Sequence, residues 1–228
     1  MSEAAPAIPV QNEPPINVKI TNELKNKYKE ILIKHLNGRL FKEDKIYSWI
    51  NNILLDAKEY FITKYPDYDL FLYSYICPKN VYFTSKCYSI SIQNIDWVDF
   101  VHFSTDNLYS VLYFFFYKHY NLDYSLEENE SEIIQKGNEI LIKYLEDRKY
   151  DKDKCNKYSR DINNEHIDFI LTKDNKFRTF FLNEIYKNPI QNKYFYKYLT
   201  YGKEIYSKII QTYSNDYLTC CHYVFFFK

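Results

Sequence analysis

Cys220-Cys221-His222 is a dense group of metal-ligating and redox-capable side chains. Zinc takes Cys thiolates and His imidazoles, but it needs about four converging ligands. On a strand Cys220 and His222 share a face and Cys221 takes the other, so the triplet offers two donors to one site. His35, His102, His119 and His166 are scattered and form no H-E-x-x-H or other paired spacing. Cys87 with His102 could in principle serve a thiolate nucleophile. Glu43-Asp44 could do acid–base work, but the pair stands where a helix begins and suits its dipole. In each case the plainer reading is structural, because a buried free cysteine packs as a small hydrophobe. The expectation is a chain with no catalytic residues, no cofactor and no metal.

Tyr194, Tyr196 and Tyr198 share one face of a predicted strand and lie among Lys193 and Lys197. They read either as a sheet-core face or as an exposed contact face. Aromatic platforms also bind single-stranded nucleic acid. The formal net charge is zero, with 30 Lys+Arg against 30 Asp+Glu. That argues against broad nucleic-acid binding, which needs excess cations to displace counterions. Only 3 glycines are present, and none forms a phosphate-cradling loop. The opening MSEAAPAIPVQNEPPI has no basic n-region and no apolar h-region, so no secretory signal is expected. The longest apolar aromatic run, Val111 to Tyr117, is strand-sized, so no membrane partner is expected. Five cysteines without a C-x-x-C pair suit reduced cytosolic thiols.

The elements that would position these residues come in two copies. Glu30-Ile31-Leu32-Ile33-Lys34 recurs as Glu139-Ile140-Leu141-Ile142-Lys143, an offset of 109. Leu36/Leu145, Arg39/Arg148, Asp44-Lys45/Asp153-Lys154, Ile53/Ile162 and Thr63-Lys64/Thr172-Lys173 continue the frame, giving 12 identities over the 35 positions from 30 to 64. Ser104, Asp106, Leu108, Tyr113, Phe115, Phe116 and Lys118 then meet Ser214, Asp216, Leu218, Tyr223, Phe225, Phe226 and Lys228 at offset 110. Two collinear blocks at nearly one spacing mark a duplication.

Each copy predicts two helices followed by four strands. In copy one Thr21 is the expected cap of the first helix, which Asn37-Gly38 ends. The second helix runs from about 43 to 64, with Ile46, Trp49, Ile50, Ile53, Ala57 and Phe61 as one buried stripe, and Pro66 stops it. Strands are expected near 68–77, 81–91, 96–103 and 107–117. Copy two predicts helices near 130–147 and 152–172, then strands near 176–186, 192–200, 203–212 and 216–227. The organisation is a disordered tail (1–16), domain 1 (17–118), a linker (119–128) and a diverged domain 2 (129–228).

Copy one carries Lys45-Ile46-Tyr47-Ser48-Trp49 on its second helix, then Tyr68 to Ile76, Lys79-Asn80, Ser85-Lys86-Cys87-Tyr88 and Asp106-Asn107-Leu108-Tyr109-Ser110-Val111. In order and spacing this resembles the Tctex-type dynein light chains over about residues 43–117. It departs at Pro78 and Val81, where the family often has Gln and Gly, and at Tyr88-Ser89, where the family has Trp-Asp. The resemblance reaches copy two mainly through the duplication.

The resemblance implies an α+β fold in which the two copies form an intramolecular pseudo-dimer, the second strand of each completing the other's sheet. It implies a non-catalytic adaptor that holds the dynein intermediate chain or cargo peptides by β-strand addition at a free sheet edge. That edge would comprise Tyr82, Phe83, Thr84, Ser85, Lys86 and Cys87 in copy one. By repeat position it would comprise Tyr194, Tyr196 and Tyr198 in copy two. The implied location is cytoplasmic, on microtubules or axonemes through dynein. A scaffolding or assembly protein of the same fold, and a cysteine-dependent enzyme, are the alternatives.

Overall fold

The computed structural model describes residues 16–79, 86–93, 97–118, 126, 128–188, 195–201 and 205–227. The chain is α+β. Copy one supplies α1 (Ile16–Leu36), α2 (Glu43–Lys64), β1 (Tyr68–Pro78), β2 (Lys86–Gln93), β3 (Trp97–Ser104) and β4 (Leu108–Lys118). Copy two supplies α3 (Glu130–Leu145), α4 (Lys152–Lys173), β5 (Arg178–Lys187), β6 (Phe195–Tyr201), β7 (Ile205–Ser214) and β8 (Leu218–Phe227). The strands form two antiparallel sheets, ordered β3-β4-β1-β6 and β2-β5-β8-β7. No helix among the described residues is long and apolar enough to cross a membrane.

The helices begin and end for legible reasons, with one correction. α1 starts at Ile16, so Thr21 lies inside the helix, buried, and is not its cap. Ile20 stands four residues before Leu24 and eight before Tyr28, and all three are buried, so the apolar stripe carries the helix past Thr21. Of the expected tail, 1–16, residues 1–15 lie outside the described residues, and Ile16 instead opens α1. α1 and α3 end alike: Gly38 (φ 70°) and its repeat partner Asp147 (φ 57°) both take the left-handed conformation that closes a helix. Asp is among the few non-glycine residues that tolerate it. α4 is capped by Asp151, whose carboxylate accepts the Lys154 amide at 3.0 Å.

The duplication reappears side chain by side chain. The buried stripe of α2 is Ile46, Trp49, Ile50, Ile53, Leu54, Ala57 and Phe61. That of α4 is Cys155, Ser159, Ile162, Asn163, His166 and Ile170, six of the same seven positions moved by 109. Glu23–Lys64 and Glu132–Lys173 clasp the helix pairs at matching places, as do Lys34–Asp56 (2.8 Å) and Lys143–Glu165 (2.5 Å). Arg39 lies over the Trp49 ring and Arg148 over Tyr158, at 5.3 and 5.9 Å. The offset stays 109 from β1 to β5, since Ser74 faces Leu112 as Asn183 faces His222. It is 110 for β3/β7 and β4/β8, so the extra residue of copy two falls after β5.

Strand alternation explains the layering. Leu70, Leu72, Ile76, Leu112, Phe114 and Phe116 pack with α1 and α2 in one core. The intervening Phe71, Tyr73, Tyr75, Val111, Tyr113 and Phe115 meet Phe180, Leu182, Tyr223, Phe225 and Phe227 of the other sheet. The sheets therefore pack face to face, with α1–α2 outside one and α3–α4 outside the other. The aromatic excess of the composition fills this middle layer, where Phe71 stacks on Phe115 at 4.7 Å and meets Phe180 at 5.2 Å. Leu126, placed in the expected linker, is buried in the copy-two core.

Candidate functional site

Of the expected binding edge, Lys86 and Cys87 stand on β2 and Tyr196 and Tyr198 on β6. β2, from copy one, pairs with β5 of copy two over Lys86↔Tyr186 to Gln93↔Thr179. β6, from copy two, pairs with β1 of copy one over Leu70↔Tyr201 to Ile76↔Phe195. Each stands last in its sheet, with a single strand neighbour among the described residues. Lys86 and Cys87 lie on β2 opposite Tyr186 and Ile185. Tyr196 and Tyr198 lie on β6 opposite Tyr75 and Tyr73. Tyr82, Phe83, Thr84, Ser85 and Tyr194 fall outside the described residues. An edge strand offers backbone N–H and C=O groups that an added strand can pair.

Beneath α4, sheet B (β2-β5-β8-β7) carries a feature that sequence reading missed. Ser89, Asn183, His222 and Gln211 are direct cross-strand neighbours, a polar row spanning all four strands. All four are buried. Ser159, Asn163 and His166 of α4 lie on it. Ser89 donates to the Ser159 carbonyl at 2.6 Å, while Asn163 donates to Ser89 Oγ at 3.0 Å and the Ser159 hydroxyl reaches Ser89 Oγ at 2.8 Å. Cys220 donates to Asn183 Oδ1 at 2.9 Å. Gln211 donates to the Ile134 carbonyl and to Asn138 Oδ1 of α3, both at 2.7 Å. Gly137 makes room for it, since a Cβ there would come within 2.0 Å of Gln211 Oε1.

His166 and His222, 56 residues apart in sequence, meet at 2.8 Å between Nδ1 and Nε2. His166 Nε2 lies 3.0 Å from the Ile133 carbonyl, which can only accept, so Nε2 carries the proton and Nδ1 is an acceptor. His222 Nε2 must then donate to it. His222 Nδ1 is left as a buried acceptor without a partner. Burial pushes the His166 pKa down to about 4, helped by the Lys136 charge and opposed by the Ile133 bond. Burial also holds His222 well below the ordinary histidine range. Both rings are neutral at pH 7.

Under α2 one position of the row stays polar: Ser74, the repeat partner of Asn183, is buried and donates to the Val111 carbonyl. The repeat partners of Ser159, Asn163 and His166 are Ile50, Leu54 and Ala57, and those of Gln211 and His222 are Val101 and Leu112. The helix–sheet core of copy one is continuous, whereas the polar row divides that of copy two into separate apolar clusters. Comparing the two copies position by position would have exposed five of its members, because Ser159, Asn163, His166, Gln211 and His222 stand where copy one has apolar residues.

The cysteine chemistry finds little support in the geometry. Cys220 and His222 share the helix face of β8, as alternation requires, and Cys221 joins the middle layer. Burial pushes the Cys220 thiol far up, which disfavours the thiolate. Cys87 and His102 stand on different sheets. Among the described residues no three His, Cys, Asp or Glu side chains converge as a metal site would need. No family model matches the chain, and no curated protein matches it.

Proposed function

We propose that the chain is a non-catalytic, dynein light-chain-like adaptor: an intramolecular pseudo-dimer of two Tctex-type domains that captures extended peptides by adding them to the edge strands β2 and β6. The observation that carries this reading is the reciprocal pairing. The second strand of each copy pairs with the first strand of the other and ends its sheet. Such an arrangement lets one chain do what a symmetric dimer does, because the covalent link raises the effective concentration of the copies to about millimolar. Backbone pairing supplies affinity, and alternate side chains choose the sequence. The proposed partners are the dynein intermediate chain and cargo peptides, with a cytoplasmic, dynein-associated location.

The test is fluorescence anisotropy of a labelled N-terminal dynein intermediate-chain peptide titrated with the full chain. Thr84→Pro and Tyr196→Pro each remove a backbone N–H that strand addition could use. Saturable binding that Thr84→Pro weakens tenfold or more, with circular dichroism unchanged, supports the reading. Equal loss from Tyr196→Pro would indicate two equivalent edges. Binding that neither proline alters would remove the edges as the site. A chain that ignores the dynein peptide but captures other extended peptides would be a scaffold of the same fold.

A further inference from the structure

The polar row under α4 joins three things: the edge strand β2, through Ser89; the helix that covers it, through Ser159, Asn163 and His166; and a pair of buried imidazoles. We propose that this row is an acid-sensitive latch, in which proton uptake by the His166–His222 pair loosens α4 and the β2 edge it holds, while the layer under α2 stays closed.

The geometry leaves a proton one place to go. His222 Nδ1 is the open acceptor of the pair, because His166 Nδ1 is taken by His222 and His166 Nε2 by the Ile133 carbonyl. A proton there creates an imidazolium in a layer where no carboxylate is free to face it among the described residues. From α3 the facing charged group is Lys136, of the same sign, which pairs with Glu139 at 3.6 Å. β8 presents the Cys220 thiol, which burial keeps neutral. On this face β5, β7 and β2 present Asn183, Gln211 and Ser89, all uncharged. The α4 carboxylates Asp161 and Glu165 are held in ion pairs with Lys157 and Lys143. Glu184 of β5, by alternation, is on the opposite face, where Tyr186 donates to it at 2.5 Å. An isolated buried charge is costly, so the layer opens and hydrates it rather than hold it.

The sign follows from linkage. A histidine that titrates lower in the folded than in the unfolded state leaves stability whole above about pH 6.5, and the loss grows as pH falls toward the folded value. For His166 at about 4 against about 6.5 when opened, the opening equilibrium at pH 5 rises by about 30-fold over that at pH 7.5. His222 acts in the same direction. Any consequence for peptide capture at β2 rests on the proposed function; the opening itself does not.

The experiment is hydrogen–deuterium exchange on the full chain at pH 5.0 and 7.5, each rate corrected for intrinsic exchange. The expected result is a rise of tenfold or more in α4 and β2, with α2 and β1 changed less than twofold. The layer under α2 is the control inside the molecule, since Ile50, Leu54, Ala57 and Leu112 cannot titrate. His166→Gln/His222→Gln, which keeps polar side chains but removes the titration, should abolish the rise. Equal loosening of both layers, no loosening, or a rise that survives in the double variant would overturn the proposal. Should the variant not fold, the native comparison of α4 with α2 decides alone.

Discussion

Phe180→Ala tests whether the two copies fold as one body. Phe180 belongs to copy two and is fully buried, yet its ring stacks on Phe115 at 5.4 Å and meets Phe71 at 5.2 Å, both from copy one. Loss of a fully buried phenylalanine removes about 2 kcal/mol of transfer free energy. The truncation leaves about 100 Å³ empty, worth about 2 kcal/mol more if the layer cannot collapse. Strand backbones on both sides of the layer limit collapse, so a total of about 3–5 kcal/mol is expected, which lowers the melting temperature by about 10 °C for a chain of this size. Trp49 and Trp97 both lie in copy one, so tryptophan fluorescence reports that copy while far-ultraviolet circular dichroism reports both. In urea the two probes should give one coincident transition, and Phe180→Ala should shift both midpoints equally. A tryptophan transition that stays in place while circular dichroism shifts would refute the face-to-face packing of the two sheets as an energetic unit.

Residues 17–118 expressed alone should form homodimers or aggregates by light scattering. The fragment lacks β6 beside β1 and β5 beside β2, and bares Phe71, Tyr73, Tyr75 and Phe115 to water; a well-behaved monomer would contradict the pairing. Trp49→Ala should cost about 3–5 kcal/mol in the full chain, because the ring is 8% exposed within the α2 stripe and covered by the Arg39 guanidinium. A loss under about 1 kcal/mol by urea denaturation would place that ring on the surface.

Sequence alone determined the local elements and their repetition. Apolar residues at steps of three and four placed α2 and its stripe, and Pro66 stopped it where the structure does. Dense aromatic runs placed the strands, because β-branched and aromatic side chains pack well on a pleated surface. The offset of 109 carried over to buried positions, caps and ion pairs, since side chains that pack one helix pair pack its duplicate in the same way. The start of α1 was misread, because Thr21 has the chemistry of a cap while Ile20, four residues before Leu24, has the spacing that overrules it. Which strand joins which sheet was not readable from composition or period. Every strand has the same pairing groups, and only the tertiary arrangement decides whether β2 lies beside β5 of the other copy. The polar row was beyond local reading for the same reason. Ser89, His166, Asn183, Gln211 and His222 are unremarkable one by one and distant in the chain, and only the closing of α4 over four aligned strands sets two buried imidazoles at 2.8 Å.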